Sequence, residues 1–158
     1  MELCHYVKQQ KKRVFWIEAI EIPIVYNRFG DHDPNGLLYV LKQDAEKIRN
    51  EAISYFEQEI PQPAPGVQPL VIRVNRGDEV VVHFSHSLDR NLSIHVQGLS
   101  YDVRTSDGAS VGRNPDSTTM DEITYCWYAD REGVFLMSDM GDTRSSEEGT
   151  NVHGLFGA

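Results

Sequence analysis

Apolar residues in this chain follow two different rhythms, and the places where one gives way to the other mark the elements. Residues 14–26, VFWIEAIEIPIVY, are dense in β-branched and aromatic side chains with Glu18 and Glu21 interspersed, as expected of a first strand. Pro23 cannot donate a ladder hydrogen bond, so an edge position or a break is expected there. Residues 27–36, NRFGDHDPNG, carry turn chemistry throughout and predict a surface loop. Over residues 42–58 the period changes: Ala45, Ile48, Ala52 and Tyr55 or Phe56 recur at three-to-four spacing, which predicts one amphipathic helix. Four prolines and a glycine in residues 59–69 then exclude helix and predict an extended connector that separates an N-terminal portion from the main body.

Beyond residue 69 the period is two. Leu70, Ile72 and Val74 alternate with polar positions, Arg76, Gly77 and Asp78 form a turn, and Val80, Val82 and Phe84 resume the alternation. This predicts a half-buried antiparallel hairpin. Further strands are expected at NLSIHVQGL (91–99), at EITYCWYA (122–129), with Ile123, Tyr125 and Trp127 facing one way, and at GVFLMSDM (133–140). Short strands at close spacing, joined by Gly, Asn, Asp and Pro turns, imply a β-sandwich or barrel. There is no internal repeat.

Composition narrows the function classes. A length of 158 residues suits one domain with a real core. Fifteen basic against twenty-four acidic residues give a net charge of -9, which argues against nucleic acid or anionic lipid as the main partner and leaves metal cations welcome. No apolar run approaches the roughly 18 residues that cross a bilayer. Lys8, Lys11, Lys12 and Arg13 precede an apolar stretch, but Glu18 and Glu21 interrupt it, so no cleavable export signal is expected. The expectation is a soluble protein, cytoplasmic by default. Two cysteines, Cys4 and Cys126, leave room for one bridge, although two free thiols are the expectation, with Cys126 a small buried hydrophobe.

The histidines are the candidate chemistry. His95 sits between alternating apolar residues in LSIHVQGL. His83 and His86 are three apart, and odd separation along a strand sends them to opposite faces, so they are read as surface residues. His5, His32 and His153 lie in an arm, a loop and a chain end, and carry no metal role in this reading.

In order and spacing, PLVIRVNRGDEVVVHF, LSIHVQGL, DGAS, ITYCWYADREGVFLMS and HGLFGA resemble the N-terminal cupredoxin domain of multicopper oxidases, with the ceruloplasmin-like and manganese-oxidase-like members nearest because RVFWIEAIEIPIVY and an inserted segment precede it. The resemblance spans residues 13–158. It implies an all-β, mainly antiparallel, cupredoxin-like Greek-key sandwich with one helical insertion, preceded by an N-terminal arm over residues 1–12. It also implies copper as cofactor, and further cupredoxin domains or subunits as partners; a homo-oligomer is a further option.

The family carries two His-x-His pairs here, each lending ligands to a copper cluster that another domain completes. His95 matches the first histidine, at the type 2 copper position, whereas Gln97 replaces its mate and Ser138 and Met140 occupy the second pair. Amide oxygen and hydroxyl are weak donors for copper, and a lone strand methionine usually belongs to a core. Cys126 is on the wrong strand for a blue-copper thiolate. The resemblance therefore implies part of an oxidase that couples oxidation of a metal ion or small substrate to oxygen reduction, with a degenerate copper half-site here and no catalytic residue of its own. The alternative is a stand-alone, non-catalytic cupredoxin-like interaction module; a third reading is a small metal carrier using His83, His86 and His95.

Overall fold

The computed structural model describes residues 11–109, 122–141 and 149–158. Two sheets face each other. The larger contains β1 (Lys12–Val25), β2 (His32–Leu41), β3 (Glu79–His86), β5 (Ser100–Tyr101) and β6 (Glu122–Tyr128) in the order β2-β1-β3-β6-β5. The smaller contains β4 (His95–Val96), β7 (Met137–Ser138) and β8 (Phe156–Gly157) in the order β4-β7-β8. All strand pairs are antiparallel except β1 with β3. A helix, α1 (Ala45–Phe56), follows a 3-10 turn at Lys42–Asp44, inside the predicted helical span.

Alternation along the second half of β1 and along β2 buries both faces of the large sheet there. Ile17, Ala19, Leu37 and Tyr39 point between the sheets, where they meet Val82, Phe84, Leu92, Ile94, Tyr125 and Leu155, all but completely buried. The intervening residues Ile20, Ile22, Leu38 and Val40 point the other way and are covered by Ala45 and Ala52 of α1. Successive strand residues face opposite sides, so a two-faced strand reads as a nearly continuous apolar run, as IEAIEIPIV does.

Pro23 lies where expected. The β1–β2 register shifts between Ile22 and Ile24, where the single residue Pro23 stands against Pro34 and Asn35. Both prolines lack an N–H, and the irregularity excuses both from the ladder. It also corrects the loop prediction, because β2 begins at His32 and takes in half of the turn-like NRFGDHDPNG segment.

The predicted hairpin does not form. Both edges of β3 are occupied, by β1 and by β6, so residues 70–74 have no place beside it. They cross to the other sheet, where Leu70 bridges Gly157 in parallel, while Leu70, Ile72 and Val74 still pack on the main core. Asp78 organises the crossing: its carboxylate accepts from Asn75 N–H at 2.9 Å and from Arg13 Nε at 3.1 Å. Donation from Asn75, with the Arg13 guanidinium beside it, holds this carboxyl below the usual range despite opposing desolvation.

The proline-rich connector likewise does not set the N-terminal strand apart. It folds back on α1, with Gly66 N–H donating to Glu51 Oε1 at 2.8 Å and Gln62 N–H to the Tyr55 carbonyl at 3.0 Å, while β1 lies inside the large sheet. Cys126 is disulfide-bonded, contrary to the expected free thiol. Cys4, the chain's other cysteine, lies outside the described residues.

Candidate functional site

The small sheet carries the candidate site. Ile94 and Val96 point into the core, so the alternate residues His95 and Gln97 point outward. In the β4–β7 register His95 stands opposite Ser138 and Val96 opposite Met137, with Gln97 N–H donating to the Leu136 carbonyl at 2.9 Å. The first positions of the two motif pairs thus lie side by side on one outer face. One is an imidazole and the other a hydroxyl.

His95 is held in a defined orientation. Its Nδ1 lies 2.8 Å from the Asp107 carbonyl oxygen, which can only accept, so Nδ1 carries the proton and the neutral ring keeps its lone pair on Nε2. A metal-ligating imidazole is commonly anchored through its other nitrogen in this way. The side chain of Asp107 adds support: its Oδ1 lies 3.7 Å from His95 Nδ1 and accepts from Tyr101 hydroxyl at 2.7 Å. Desolvation, followed by that hydrogen bond and the carboxylate charge, pushes the Tyr101 phenol up to about 12. The Tyr101 ring meets His95 edge-on at 6.5 Å between centroids.

The local fold explains why Asp107 is available. After β5 the short helix α2 (Val103–Ser106) is capped by Asp102, whose carboxylate accepts from Arg104 N–H at 2.9 Å. Ser106 fastens this turn to β6, its hydroxyl accepting from Cys126 N–H at 3.0 Å and its carbonyl from Trp127 Nε1 at 3.3 Å. Gly108 then brings the chain against β4 with φ of 71°; a Cβ there would stand 2.3 Å from the Ile94 carbonyl oxygen. Only glycine allows that approach.

Beneath the site lies a buried carboxylate. Asp139, 1% exposed, accepts from Ser93 N–H at 2.8 Å and Gly141 N–H at 3.0 Å through Oδ1, and from Thr150 hydroxyl at 2.7 Å through Oδ2. Tyr39 hydroxyl donates to the Ser93 carbonyl at 2.6 Å, and its phenol is raised well above its ordinary value by burial first and by the charge of Asp139 next. Asp139 therefore ties β7 to the residues that enter β4. Pattern reading missed this group, along with Tyr101 and the residue Asp107 that holds His95; the DGAS run was the available signal for the last.

The other histidines stay apart. His83 is on the outer face of the large sheet, stacked on Trp16 at 5.3 Å and 3.0 Å from Thr124 Oγ1. His86 is buried, its Nδ1 accepting from Leu88 N–H at 3.1 Å, so it is not the surface residue expected, although the pair does face opposite ways. With His95 in the other sheet, these three do not converge. His153 contacts the Asp33 carboxylate and His32 the Gly30 carbonyl. Among the described residues, no three His, Cys, Asp or Glu side chains group as a metal site. One imidazole beside a serine, an amide and a thioether does not fit a multinuclear copper centre, although His95 fits a single copper ligand.

Residues 47–157 match the family described as multicopper oxidase. No curated protein matches the chain. Solved structures share the fold: a multicopper oxidase from Pseudomonas thermotolerans, at TM-score 0.60 and 16% identity, is matched over 94% of this chain and 29% of its own. A copper nitrite reductase from Nitrosomonas europaea follows at TM-score 0.59 and 16% identity, over 93% of this chain and 40% of its own. A laccase from Botrytis aclada gives TM-score 0.56 and 16% identity, over 96% of this chain and 22% of its own. The chain thus spans less than half the length of each of these proteins. With a sandwich of the cupredoxin-like kind and a sequence match over well more than half its residues, the chain belongs to the multicopper oxidase family.

Proposed function

We propose that residues 13–158 form a single cupredoxin-like domain of a multicopper oxidase in which the domain's own part is mainly architectural. In this reading the complete enzyme oxidises a metal ion or small substrate with oxygen as the electron acceptor, and its copper chemistry is completed by further cupredoxin domains or subunits. This chain contributes at most one nitrogen, from His95. The donor set on the outer face of β4 and β7 carries the reading: His95 is oriented as a ligand by Asp107, but Gln97, Ser138 and Met140 supply no second imidazole. The disulfide at Cys126 weighs against the cytoplasmic default, because such bonds persist mainly in oxidising surroundings.

Copper titration followed by electron paramagnetic resonance tests this. The expected result is weak Cu(II) binding with coupling to a single imidazole nitrogen, abolished in His95→Ala while the circular dichroism spectrum is retained. An intense blue absorption band, or tightly held copper in more than one equivalent, would overturn it. The alternative of a non-catalytic interaction module predicts that His95→Ala changes no copper signal at all.

A further inference from the structure

Among the asparagines of this chain, Asn91 alone is followed two residues on by serine or threonine with a residue other than proline between, in the run Asn91-Leu92-Ser93. That run is the acceptor motif for an N-linked oligosaccharide. Three residues recur by chance in many chains, so the motif counts only where its surroundings agree. Asn91 closes the 87–91 loop between β3 and β4 and is exposed. Its side-chain amide makes no hydrogen bond among the described residues.

The other two residues of the run have structural tasks. Leu92 is fully buried in the main core. Ser93 is fully buried as well, its N–H donating to Asp139 Oδ1 at 2.8 Å and its Oγ accepting from Met140 N–H at 3.0 Å. Asn91 has no such task, and a bulky solvated group on its amide displaces no packing. The disulfide at Cys126 supplies the second condition: such bonds form on the oxidising secretory route, where the acceptor motif is also used.

We propose that Asn91 is a glycosylation site. The donor is an oligosaccharide carried on a polyprenyl pyrophosphate. Asn91 Nδ2 forms a bond to the anomeric carbon, the bond from that carbon to the pyrophosphate oxygen breaks, and the amide gives up one proton as the pyrophosphate carrier leaves. Burial of Ser93 fixes the order of events. Its hydroxyl belongs to the recognised motif, yet in the folded domain it is enclosed beside Asp139 and Met140, so transfer precedes the closure of β4 onto β7. In the folded protein the glycan stands beside the turn that follows β7, where a Cβ on Gly141 would lie 3.0 Å from the Asn91 carbonyl oxygen, and it bars a partner domain from that corner. The inference does not rest on the copper reading.

The test directs the full chain into a eukaryotic secretory pathway and examines the purified product by mass spectrometry before and after peptide N-glycosidase, which leaves aspartate where a glycan stood. The expected product carries one glycan, shows aspartate at position 91 after release, and keeps the circular dichroism spectrum of the unglycosylated protein. Asn91→Gln should lose the glycan and still fold. If that variant fails to fold, the residue converted to aspartate in the unaltered protein locates the site by itself. The unglycosylated folded protein, mixed with oligosaccharyltransferase and the lipid-linked donor, should remain unmodified. An unmodified secreted product, a glycan that persists in Asn91→Gln, aspartate at another position, or a glycosylated chain without the native spectrum overturns the inference, and modification of the folded protein overturns the order of events.

Discussion

Replacing Asp139 separates a structural anchor from an incidental surface carboxylate. In Asp139→Ala, the Ser93 N–H, the Gly141 N–H and the Thr150 hydroxyl all lose their acceptor in a region with almost no solvent access. An unsatisfied buried donor costs about 1–3 kcal/mol, and the rotatable Thr150 hydroxyl and half-buried Gly141 recover part of that, which leaves roughly 3–4 kcal/mol for the alanine variant. Asp139→Asn behaves differently. Its amide oxygen can still serve Ser93 and Gly141, and its NH2 can donate to a Thr150 hydroxyl that turns to accept, so the cost falls to about 1–2 kcal/mol. A single domain of this size holds about 5–15 kcal/mol in all, so the alanine loss is a substantial share of the total and is readily measured. Urea unfolding followed by circular dichroism measures both, and an unchanged m-value licenses conversion of the midpoints. Equal losses for Asn and Ala, or an alanine cost under about 1 kcal/mol, would refute the assigned hydrogen-bond roles.

Two further outcomes follow from the site. Gly108→Ala places a methyl against the Ile94 carbonyl at positive φ, so it should cost about 1–3 kcal/mol and pull Asp107 off His95; nitrogen-15 spectra should then show the His95 tautomer no longer locked, and an unchanged spectrum would contradict the contact. Tyr39 and Tyr101 both have phenols raised above 10, which means the folded state holds their protons more tightly than the unfolded chain does. The stability they contribute is present in full below pH 10 and is lost as pH climbs towards and beyond 12. The fall in stability between pH 10 and 12 should therefore be shallower in Tyr101→Phe than in the unaltered protein, with phenolate absorbance reporting the ionisation; a stability profile of the unaltered protein flat from pH 9 to 12 would contradict it.

Local pattern in the sequence determined the class of the molecule. The three-to-four spacing from Ala45 to Phe56 specified α1 because a helix repeats on that period whatever it packs against. Pro23 announced an irregularity in β1 because a missing N–H is a property of the residue itself. His95 could be picked out on its motif position, and Tyr125 and Trp127 on their shared parity in β6. Tertiary structure alone decided which edges are joined. Leu70, Ile72 and Val74 have the alternation of a hairpin arm, yet β1 fills the edge they would need, a competition between segments 60 residues apart that no local period records. β2 was hidden because turn-forming residues 33–36 also serve as a bulge once a partner strand is alongside. The same holds for the His95 anchor: a carbonyl oxygen is present at every residue, and only the positive φ of Gly108 and the grip of Ser106 on β6 bring that of Asp107 within 2.8 Å of the ring.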